Sequence, residues 1–480
     1  MNILLVNPPF ILSENSPYSK TGAILPPLGL LYIASYLKYS NPEMEINVLD
    51  SPAYKIGLEG FKKKLSYFNP DIVGISIYTT TFSMSLKTAE SVKEMFPKAI
   101  VVAGGPHASI LPEECLSSSW IDVVVIGEGE RSFTELAQCV SRKDDLDKVV
   151  NIVYKKDGRI IHTRLDSANV DMDALPLPAR DLVDMRLYHP AQGTYRWLPA
   201  TNMITSRGCP FRCSFCSKII FGSFYRTQSC KKTVKEIESL IRDYGIREII
   251  FNDDVFTMDR KMTVSLCDML VERDLDLTWS CSTRVNLVDK DILGKMREAG
   301  CISIGYGIES GDKDILKKID KGSSLENAKK VIAWTKGSGI ETRAFYILGF
   351  PGETMETIEK TIDASLELDA DFVIYNFAIP LPGTELYEES RKNGVLLYDG
   401  VELYDRTDGA HPLIRLQDVP SETLSRLYNS AYRRYYIRPH YILNQFRHIK
   451  SAEDIARYLR GALAFFGWYG KINRNVQKRI

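Results

Sequence analysis

The sequence predicts an α/β protein with three parts: a doubly wound N-terminal domain, a partial barrel of six strand–helix units, and a mainly helical C-terminal region. Two observations predict this fold class. Near-continuous Val/Ile runs alternate with amphipathic stretches up to residue 145, as expected for strands buried on both faces of a parallel sheet. A second strand–helix alternation begins near residue 199, and helical periodicity replaces it after residue 395.

Composition and charge exclude several classes of protein. The 480 residues are 44% hydrophobic and 25% charged, an ordinary globular composition in a chain long enough for several domains. The 61 Lys and Arg residues balance 61 Asp and Glu, so no net charge attracts nucleic acid. No apolar run approaches the ~20 residues that span a bilayer, and the N-terminus lacks secretion-signal features. We therefore expect a cytoplasmic protein with no membrane span and no nucleic-acid partner.

The first domain is predicted over residues 1–145. Its strands are expected at 2–6, 46–50, 71–78, 99–105 and 122–127. Doubly wound sheets bind ligands beyond the carboxyl ends of their strands. Those ends carry NPP at 7–9, YTTT at 78–81, GGPHAS at 104–109 and GEGE at 127–130. The strand ends therefore predict a ligand site, although their glycines do not form the dinucleotide-binding fingerprint.

The remaining chain is divided into three segments. Residues 146–198 are interpreted as a linker with a hairpin that turns at KKDG, 155–158. The barrel is predicted over 199–395, with strands at 201–206, 247–254, 277–282, 301–310, 341–350 and 371–380. The C-terminal region, 396–480, contains helical stretches at 421–437 and 451–469 that are rich in Tyr, Phe and Arg. We expect it to cover the mouth of the barrel and to pack its aromatic side chains as core.

A cluster of three cysteines follows the first predicted barrel strand. The segment RGCPFRCSFC contains Cys209, Cys213 and Cys216. Three thiolates at this spacing can each bind one iron of a four-iron cluster, which leaves the fourth iron open for chemistry. The alternative is a zinc site, which needs a fourth ligand, and Cys230 is the nearest candidate. The chain has no second Cys-x-x-Cys pair, and this favours the iron–sulfur cluster.

With four later segments, the cysteine motif resembles the radical S-adenosylmethionine (SAM) superfamily. The segments are FNDDVFT at 251–257, STR at 282–284, GYGIESG at 305–311 and ILGFPGET at 347–354. The resemblance implies a [4Fe-4S] cluster that binds SAM through its free iron. It also implies an electron donor of the flavodoxin or ferredoxin type, whose electron splits SAM into methionine and a 5'-deoxyadenosyl radical.

The resemblance also implies which residues contact SAM. Glu309 and Ser310 would meet its polar groups, and Arg284 would lie near its carboxylate. Asp253 and Asp254 stand where many members carry a Gly-Gly-Glu motif that contacts the SAM amino group, so either could make that contact. The glycines expected to let the backbone approach the adenine, with plain turn geometry as the alternative, are Gly349 and Gly352.

Joined to such a barrel, the N-terminal domain resembles the cobalamin-binding class of radical SAM enzymes. The segments that carry the resemblance are NPP, PPLGLLYIASYL at 26–37, GGPHAS, GEGERSFTEL at 127–136, LPLPARDL at 175–182 and RRYYIRPHYIL at 433–443. It implies that cobalamin lies across the strand ends with its nucleotide tail along the sheet. The residues expected to contact it are Tyr78, Thr79, Gly104, Gly105, Pro106, His107, Gly127, Glu128 and Gly129.

Two of these residues carry more specific expectations. No Asp-x-His-x-x-Gly motif occurs, so the cobalt is expected to lack a histidine ligand. His107 is expected to bond the backbone or the tail phosphate instead. Tyr78 or Thr79 is expected to face the lower side of the corrin.

The family implies a methyltransferase that moves a methyl group from methylcobalamin to an unactivated sp3 carbon after hydrogen abstraction by the 5'-deoxyadenosyl radical. The substrate is expected to be a small molecule, a lipid or a protein side chain, such as the C-methylated glutamine of methyl-coenzyme M reductase. The alternatives are a non-methylating enzyme such as a porphyrin oxidative cyclase, and a lipid C-methylase. The sequence assigns no catalytic residue.

Two further classes are disfavoured. A methylthiotransferase needs a second three-cysteine site, but only Cys115 and Cys139 precede the radical motif. A cobalamin-binding regulator with a vestigial barrel would be expected to lose the cluster cysteines or the Glu309 region, and both are intact.

Overall fold

The computed structural model describes residues 1–10, 22–166, 170–191, 194–409 and 411–448, together with 455 and 459. The tail helix predicted at 451–469 therefore lies outside the described residues, apart from those two positions. Within the described ranges, no helix is long and apolar enough to cross a membrane.

The first domain is a seven-stranded sheet in the order β2-β1-β3-β4-β5-β6-β7. Its strands are β1 Asn2–Asn7, β2 Glu45–Asp50, β3 Ile72–Ser76, β4 Ile100–Gly104, β5 Val123–Val125, β6 Ile152–Lys156 and β7 Arg159–His162. Strands β1 to β5 are parallel, which confirms the doubly wound prediction. The strand order reverses between β1 and β3, and such a switch point is where these sheets bind ligands.

Helices cover both faces of this sheet. They are α1 Leu28–Ser40, α2 Leu58–Leu65, α3 Phe82–Met95, α4 Pro106–Ile110, α5 Pro112–Ser117 and α6 Gly129–Arg142. Two apolar clusters, one on each face, bury the alternate side chains of every central strand. This burial explains why the strands are nearly continuous runs of Val and Ile.

The hairpin predicted in the linker is present, but it belongs to the first sheet. Strand β6 pairs antiparallel with β5, with Val124 opposite Val153, and β7 pairs with β6. Without this hairpin, β5 would expose its backbone groups as a sheet edge. The sheet therefore extends to His162, beyond the predicted limit of residue 145.

The barrel is an open wall of six parallel strands in chain order. The strands are β8 Ala200–Met203, β11 Glu248–Phe251, β12 Thr278–Thr283, β13 Cys301–Glu309, β14 Glu341–Leu348 and β15 Phe372–Phe377. A short antiparallel ribbon, β9 Ser206–Arg207 with β10 Arg226–Thr227, follows β8. The helices of this region are α7 Cys230–Tyr244, α8 Arg260–Glu272, α9 Lys290–Glu298, α10 Lys313–Lys318, α11 Leu325–Gly337, α12 Met355–Leu368 and α13 Glu385–Lys392.

Polar N-caps begin the outer helices of the barrel. The side chains of Ser229, Asp259, Asp289, Ser324 and Thr354 each accept a hydrogen bond from a backbone N–H in the first turn of the helix that follows. Such caps satisfy backbone donors that have no partner within the helix. Each helix thus starts at a defined point after its strand, and the strand ends form one face of the barrel.

The β8 edge of the barrel is covered by the segment that joins the domains. Arg180, from the LPLPARDL segment, donates to the Thr201 hydroxyl at 3.1 Å and to the Asn202 carbonyl at 2.7 Å. Its guanidinium also pairs with the buried carboxylate of Glu236 on α7 at 3.4 Å. Arg180 of the linker therefore supplies hydrogen bonds to the free edge of β8, where no further strand is paired.

The tail returns first to the first domain. It contains α14 Gly400–Tyr404, α15 Ser421–Tyr436 and α16 Pro439–His448. Leu403 and Tyr404 of α14 are buried in the apolar cluster of the first sheet, and the Tyr404 ring meets that of Phe82 edge-on at 5.8 Å. The tail thereby packs the chain that leaves the barrel against the first domain.

Helix α15 covers the other free edge of the barrel. The Tyr432 hydroxyl accepts from the Tyr375 N–H at 3.1 Å and donates to the Tyr375 carbonyl at 3.0 Å. The Tyr436 hydroxyl makes the same pair of bonds with Val373, at 3.0 and 2.7 Å. Four residues of a helix and two residues of a strand both advance about 6 to 7 Å. Tyrosines four residues apart on α15 can therefore each bond every second residue of β15.

The position of α15 adds to one expectation. Its aromatic side chains are core, as predicted, and the helix lies along the outer edge of β15, with Leu424 in its first turn reaching Gly349 after β14. The reason is that an unpaired strand edge needs hydrogen-bond partners, and the tyrosine hydroxyls supply them. Arg434 pairs with Glu359 and Asp363, and Arg438 pairs with Asp369, so these two tail arginines anchor the helices to α12 and the turn after it.

Candidate cofactor-binding site

A cavity of ≈ 760 Å³ lies between the strand ends of the first sheet and the barrel. From the first domain it is lined by Tyr78, Thr79, Gly104, Gly105, Pro106, Gly127, Glu128 and Gly129. From the barrel side it is lined by Asn202, Ile204, Arg207, Ser217, Lys218, Ile219, Ile220, Phe221, Asn252 and Asp254. Eight of the nine residues predicted to contact cobalamin thus border one space, which they share with the cysteine loop.

The cavity also extends between the first sheet and its helices. Leu5 and Val102 line it from the sheet, and Ile33 and Phe133 line it from α1 and α6. This shape fits a flat ring over the strand ends with a tail along the sheet. Apolar walls with a few polar groups are typical of cofactor sites.

Glycines leave the end of β4 open. A Cβ built on Gly104 would meet no atom within 4 Å, so only the missing side chain keeps this space free. Gly105 has φ 94°, and a Cβ there would lie 3.0 Å from the Ile77 carbonyl oxygen. The residue after β4 must therefore be glycine, because the backbone passes close to the end of β3 in a left-handed conformation.

The structure places His107 behind the wall of the cavity rather than in it. The ring is fully buried, with Nδ1 3.3 Å from the Thr79 hydroxyl and the ring centroid 4.3 Å from that of Phe82. Tyr404 packs against it, and Glu114 lies 3.7 Å from Nε2. Burial lowers the pKa of His107 to about 4, so the ring is neutral at physiological pH. Its hydrogen-bond partner is therefore a side chain that itself lines the cavity.

The three cysteines lie in the loop between β9 and β10. Gly208 has φ 87°, and a Cβ there would lie 2.2 Å from the Phe224 carbonyl oxygen, so glycine alone lets the two ends of the loop pass each other. The Cys209 N–H donates to the Gly222 carbonyl at 3.2 Å. The Cys216 N–H donates to the Cys213 carbonyl at 3.1 Å.

Two further contacts tie this loop to the barrel. The Ser214 N–H donates to the Ile319 carbonyl after α10 at 3.1 Å, and its carbonyl accepts from the Leu386 N–H of α13 at 2.9 Å. The Arg284 guanidinium donates to the Cys213 sulfur at 3.2 Å and stacks over the Phe211 ring at 3.9 Å. The loop is therefore fixed on the strand-end face.

The chemistry of the thiols fits an iron–sulfur cluster. Desolvation and the other two sulfurs raise the pKa of Cys216 to about 11, and burial raises the pKa of Cys209. Clustered thiols of this kind become thiolates when a metal binds them. Each cysteine of a four-iron cluster binds a different iron, so the sulfurs need not converge on one point. In the described ranges no three metal-binding side chains do converge on a single ion site.

The fourth ligand of the alternative zinc site is placed elsewhere. The thiol of Cys230, at the start of α7, donates to the Met262 carbonyl at 3.5 Å and packs against the barrel core. Cys230 is therefore bonded within the barrel and lies apart from the three thiols of the loop.

The two aspartates predicted near the SAM amino group point in different directions. Asp253 is buried, and one carboxylate oxygen accepts from the Thr205 N–H at 3.0 Å and from the hydroxyls of Thr205 and Ser206 at 2.9 and 2.5 Å. Burial raises its pKa to about 6. Asp254 is exposed to the cavity, and its carboxylate interacts with Cys209 and Cys216. Asp254 therefore borders the cavity shared with the first domain, whereas Asp253 borders a smaller cavity of ≈ 370 Å³ inside the barrel.

Glu309 ends β13 in a left-handed conformation, with φ 70°. Its carboxylate is paired with Lys321 at 2.6 Å, and both side chains are more than nine-tenths buried. The hydroxyl of the next residue, Ser310, lies 3.1 Å from the Thr361 hydroxyl and accepts from the Asp312 N–H at 3.1 Å. The Ser310 hydroxyl is therefore bonded within the protein. The Glu309 carboxylate places the ammonium group of Lys321 at the end of β13.

After β14, the predicted glycine turn is braced from within. Gly349 has φ 94°, and its N–H donates to the Glu353 carboxylate at 2.6 Å. The same carboxylate accepts from the Phe350 N–H at 2.9 Å, and burial raises its pKa to about 7. A Cβ on Gly349 would approach Leu424 of α15 to 3.0 Å. The chain at this strand end therefore has no room for a side chain at position 349, and its two N–H groups are held by Glu353.

Three charged residues of the site were missed in the sequence. Lys321 pairs with Glu309, and Arg207 and Arg226 pair with Glu128. A possible signal for Arg207 was its place two residues before Cys209. Lys321 and Arg226 carry no local signal, because their partners are distant in sequence.

Two protein-family descriptions match the chain. The radical SAM superfamily matches residues 203–364, and the B12 binding domain matches residues 18–137. An uncharacterized methyltransferase of Pyrococcus horikoshii is 34% identical over 469 residues, which cover 97% of this chain and 99% of that protein. An anaerobic magnesium-protoporphyrin IX monomethyl ester cyclase of Rubrivivax gelatinosus is 28% identical, over 97% of this chain and 82% of its own length.

The fold is shared with a solved structure. The radical SAM methyltransferase TsrM from Kitasatospora setae, with cobalamin and a [4Fe-4S] cluster bound, superposes with a TM-score of 0.71 at 19% identity. The match covers 92% of this chain and 89% of TsrM. The chain belongs to the cobalamin-binding class of the radical SAM superfamily, and its cofactors are a [4Fe-4S] cluster, SAM and cobalamin.

Proposed function

We propose that the protein moves a methyl group from methylcobalamin to an unactivated sp3 carbon of its substrate. The observation that carries the proposal is a shared cavity, bordered by the strand ends of the first sheet on one side and by residues 217–221 after the cysteines on the other. When bound, the cluster and SAM supply a 5'-deoxyadenosyl radical that abstracts hydrogen, and methylcobalamin supplies the methyl group. One cavity between the two sites can present a substrate carbon to both.

The barrel residues would hold SAM through opposite charges. Asp254 is the proposed acceptor for the SAM amino group, because its carboxylate faces the cavity while that of Asp253 is bonded to Thr205 and Ser206. Arg284 and Lys321 are the proposed partners of the SAM carboxylate, since cations on this face already meet Cys213 and Glu309. Ser310 would meet the polar groups of SAM at the end of β13, and Gly349 would let the backbone after β14 approach the adenine.

The first domain would hold cobalamin through backbone and small side chains. Gly104, Gly105 and Pro106 border the cavity at the end of β4, and Gly127 and Gly129 border it after β5. Tyr78 is half exposed at the end of β3, and Thr79 is fixed by His107. We propose that these two face the lower side of the corrin, and that no histidine ligates the cobalt.

The wall around the proposed substrate site is apolar. Ile204, Ile219 and Phe221 line the barrel side of the cavity, and Ile379 and Leu381 line it after β15. An apolar wall favours a substrate that presents a hydrocarbon region, and it keeps water away from a reactive carbon. This supports reaction at an sp3 carbon, and it suits a lipid or another substrate with an apolar surface.

A protein side chain, such as the glutamine of methyl-coenzyme M reductase, is a second proposed substrate class. The tail arginines that could have gripped a peptide, Arg434 and Arg438, are already paired with Glu359 and Asp369. A peptide would therefore have to enter along the apolar wall. An oxidative ring closure is the alternative reaction, supported by the relative of that activity that aligns with 97% of this chain.

We also propose an electron donor of the flavodoxin or ferredoxin type. The support is chemical, because cleavage of SAM takes one electron delivered to the cluster, and flavin and iron–sulfur proteins carry single electrons.

Isotope transfer tests the proposal. The reconstituted, reduced protein would be supplied with cobalamin, SAM carrying a deuterated methyl group, and candidate lipids, porphyrins and glutamine-containing peptides. We expect 5'-deoxyadenosine together with a product that contains the deuterated methyl group. A converted substrate without the label would favour the oxidative cyclase. Absence of both 5'-deoxyadenosine and labelled product with every candidate would refute methyl transfer at these substrates.

A further inference from the structure

Four charged side chains join the two domains next to the cavity. Arg207 donates to Glu128 at 2.6 Å and to Glu130 at 2.7 Å. Arg226 donates to the same Glu128 carboxylate, so one carboxylate is held by two guanidinium groups. The exposed fractions are 3% for Arg207, 5% for Glu130, 10% for Arg226 and 11% for Glu128. We call these four residues the interdomain clamp.

The two arginines of the clamp lie at the base of the cysteine loop. Arg207 and Arg226 are directly opposite each other in the β9–β10 ribbon, and every residue of the loop, 208–225, lies between them in the sequence. The Arg207 guanidinium is further packed between the rings of Tyr32 and Phe221, each 5.1 Å away. The position of the ribbon therefore sets the position of the loop.

The two glutamates lie where the first sheet ends. Glu128 stands between Gly127 and Gly129, and all three line the cavity. Glu130 is in the first turn of α6, and its carboxylate is buried. The clamp thus connects the strand-end loop expected to contact cobalamin with the loop expected to bind the cluster, without an intervening residue.

We propose that the interdomain clamp is a positioning device that sets the distance and orientation between the cobalt and the iron–sulfur cluster. Guanidinium and carboxylate groups with two parallel contacts fix orientation as well as distance. Salt screens such a buried pair much less than an exposed one. The charges balance, two positive against two negative, so removing one glutamate leaves a buried arginine without its counterion.

The proposal changes the role expected for Glu128. Its carboxylate is occupied by two arginines of the barrel side, so it acts on cobalamin through the loop rather than by touching it. The inference rests on both cofactors being bound, and it holds whether the reaction is methyl transfer or ring closure.

The first test uses the protein without cofactors. Glu128→Gln preserves the shape of the side chain and removes its charge. The matched control is Glu135→Gln on α6, the helix that begins directly after Glu128; it removes a partly exposed pair with Arg131. Hydrogen exchange of residues 208–225 should rise at least about tenfold in Glu128→Gln, because the ribbon is released, and should match the wild type in the control. Equal exchange in all three proteins would overturn the clamp.

The second test measures the cofactors in the loaded protein. Iron and cobalamin contents of Glu128→Gln should match the wild type, while the enhancement of cob(II)alamin spin relaxation by the reduced cluster should fall. This enhancement depends on the distance between the two centres, and a merely structural role would leave it unchanged at equal loading. An unchanged enhancement would overturn the proposal. If Glu128→Gln does not fold, Arg226→Lys is used instead, because it keeps the charge and loses the two-pronged guanidinium contact with Glu128. It must show the same fall in the enhancement of spin relaxation.

Discussion

Gly104→Leu should weaken cobalamin binding without unfolding the first domain. Gly104 is the last residue of β4 and lines the cavity at the strand ends. A Cβ built there meets no atom within 4 Å, and the backbone is not in the left-handed region. A Cβ at this position therefore strains neither the chain nor its neighbours, and a leucine side chain extends from it into the space proposed for the corrin.

The expected loss of binding free energy follows from placing a leucine side chain in space that cobalamin is proposed to fill. Inserting extra methylene groups into a packed space costs about 1–3 kcal/mol. This corresponds to a Kd for cobalamin that is about 5- to 150-fold higher. The free energy of unfolding of the cofactor-free protein should stay within about 0.5 kcal/mol of the wild type or rise, because glycine in a strand is entropically costly.

Two measurements on the same preparations check this prediction. Cobalamin binding would be followed by its absorption spectrum in an equilibrium titration, and unfolding by circular dichroism in urea. Gly294→Leu is the matched control, since Gly294 also has open space for a side chain but lies on α9 of the barrel, away from the cavity. Unchanged cobalamin affinity in Gly104→Leu would refute the assignment of this cavity, and so would an equal loss in both variants.

Three further predictions concern the cluster, the barrel edge and pH. Cys213→Ala should lose most of the iron found after anaerobic reconstitution, whereas Cys230→Ala should match the wild type; equal losses would instead favour a zinc-type site that uses Cys230. Tyr432→Phe removes both hydrogen bonds to the edge of β15 and should lower the free energy of unfolding by about 1–3 kcal/mol in urea, and an unchanged value would show that water replaces the hydroxyl. The pKa of His107 is about 4 in the folded protein, below its ordinary 6.5. The contribution of the neutral ring to the free energy of unfolding is therefore complete above pH 6.5, and up to about 3 kcal/mol is lost as the pH drops towards 4. His107→Gln should flatten that part of the curve measured by urea unfolding, with Glu114 as the titratable neighbour that remains; an unaltered curve would contradict a neutral buried ring.

The strands and the cysteine loop could be predicted because their signals are local. Val/Ile runs mark strands buried on both faces, and the three cysteines lie within eight residues. The hairpin at 152–162 was recognised, but its membership of the first sheet was not. Periodicity describes a segment by itself, whereas strand pairing depends on which edge is free after folding.

The charged contacts of the site could not be predicted in the same way. Asp253 and Asp254 are adjacent in the sequence, yet one is bonded to Thr205 and Ser206 and the other borders the cavity shared with the first domain, because the chain leaves β11 at Phe251 and its further course depends on tertiary contacts. Glu128 appeared only as part of a glycine-rich loop. Its two arginine partners lie 79 and 98 residues away.

By itself, the sequence determined the class of fold and the order of its two α/β domains, and it predicts the ligands of the cluster, since each depends on residue type and spacing within a short segment. Tertiary structure alone decided which glutamate meets which arginine, which aspartate faces the cavity, and that His107 lies behind the wall. It also decided that α15 covers the free edge of β15. These contacts join residues distant along the chain, and they form because buried charges and unpaired backbone groups require partners wherever the fold brings them.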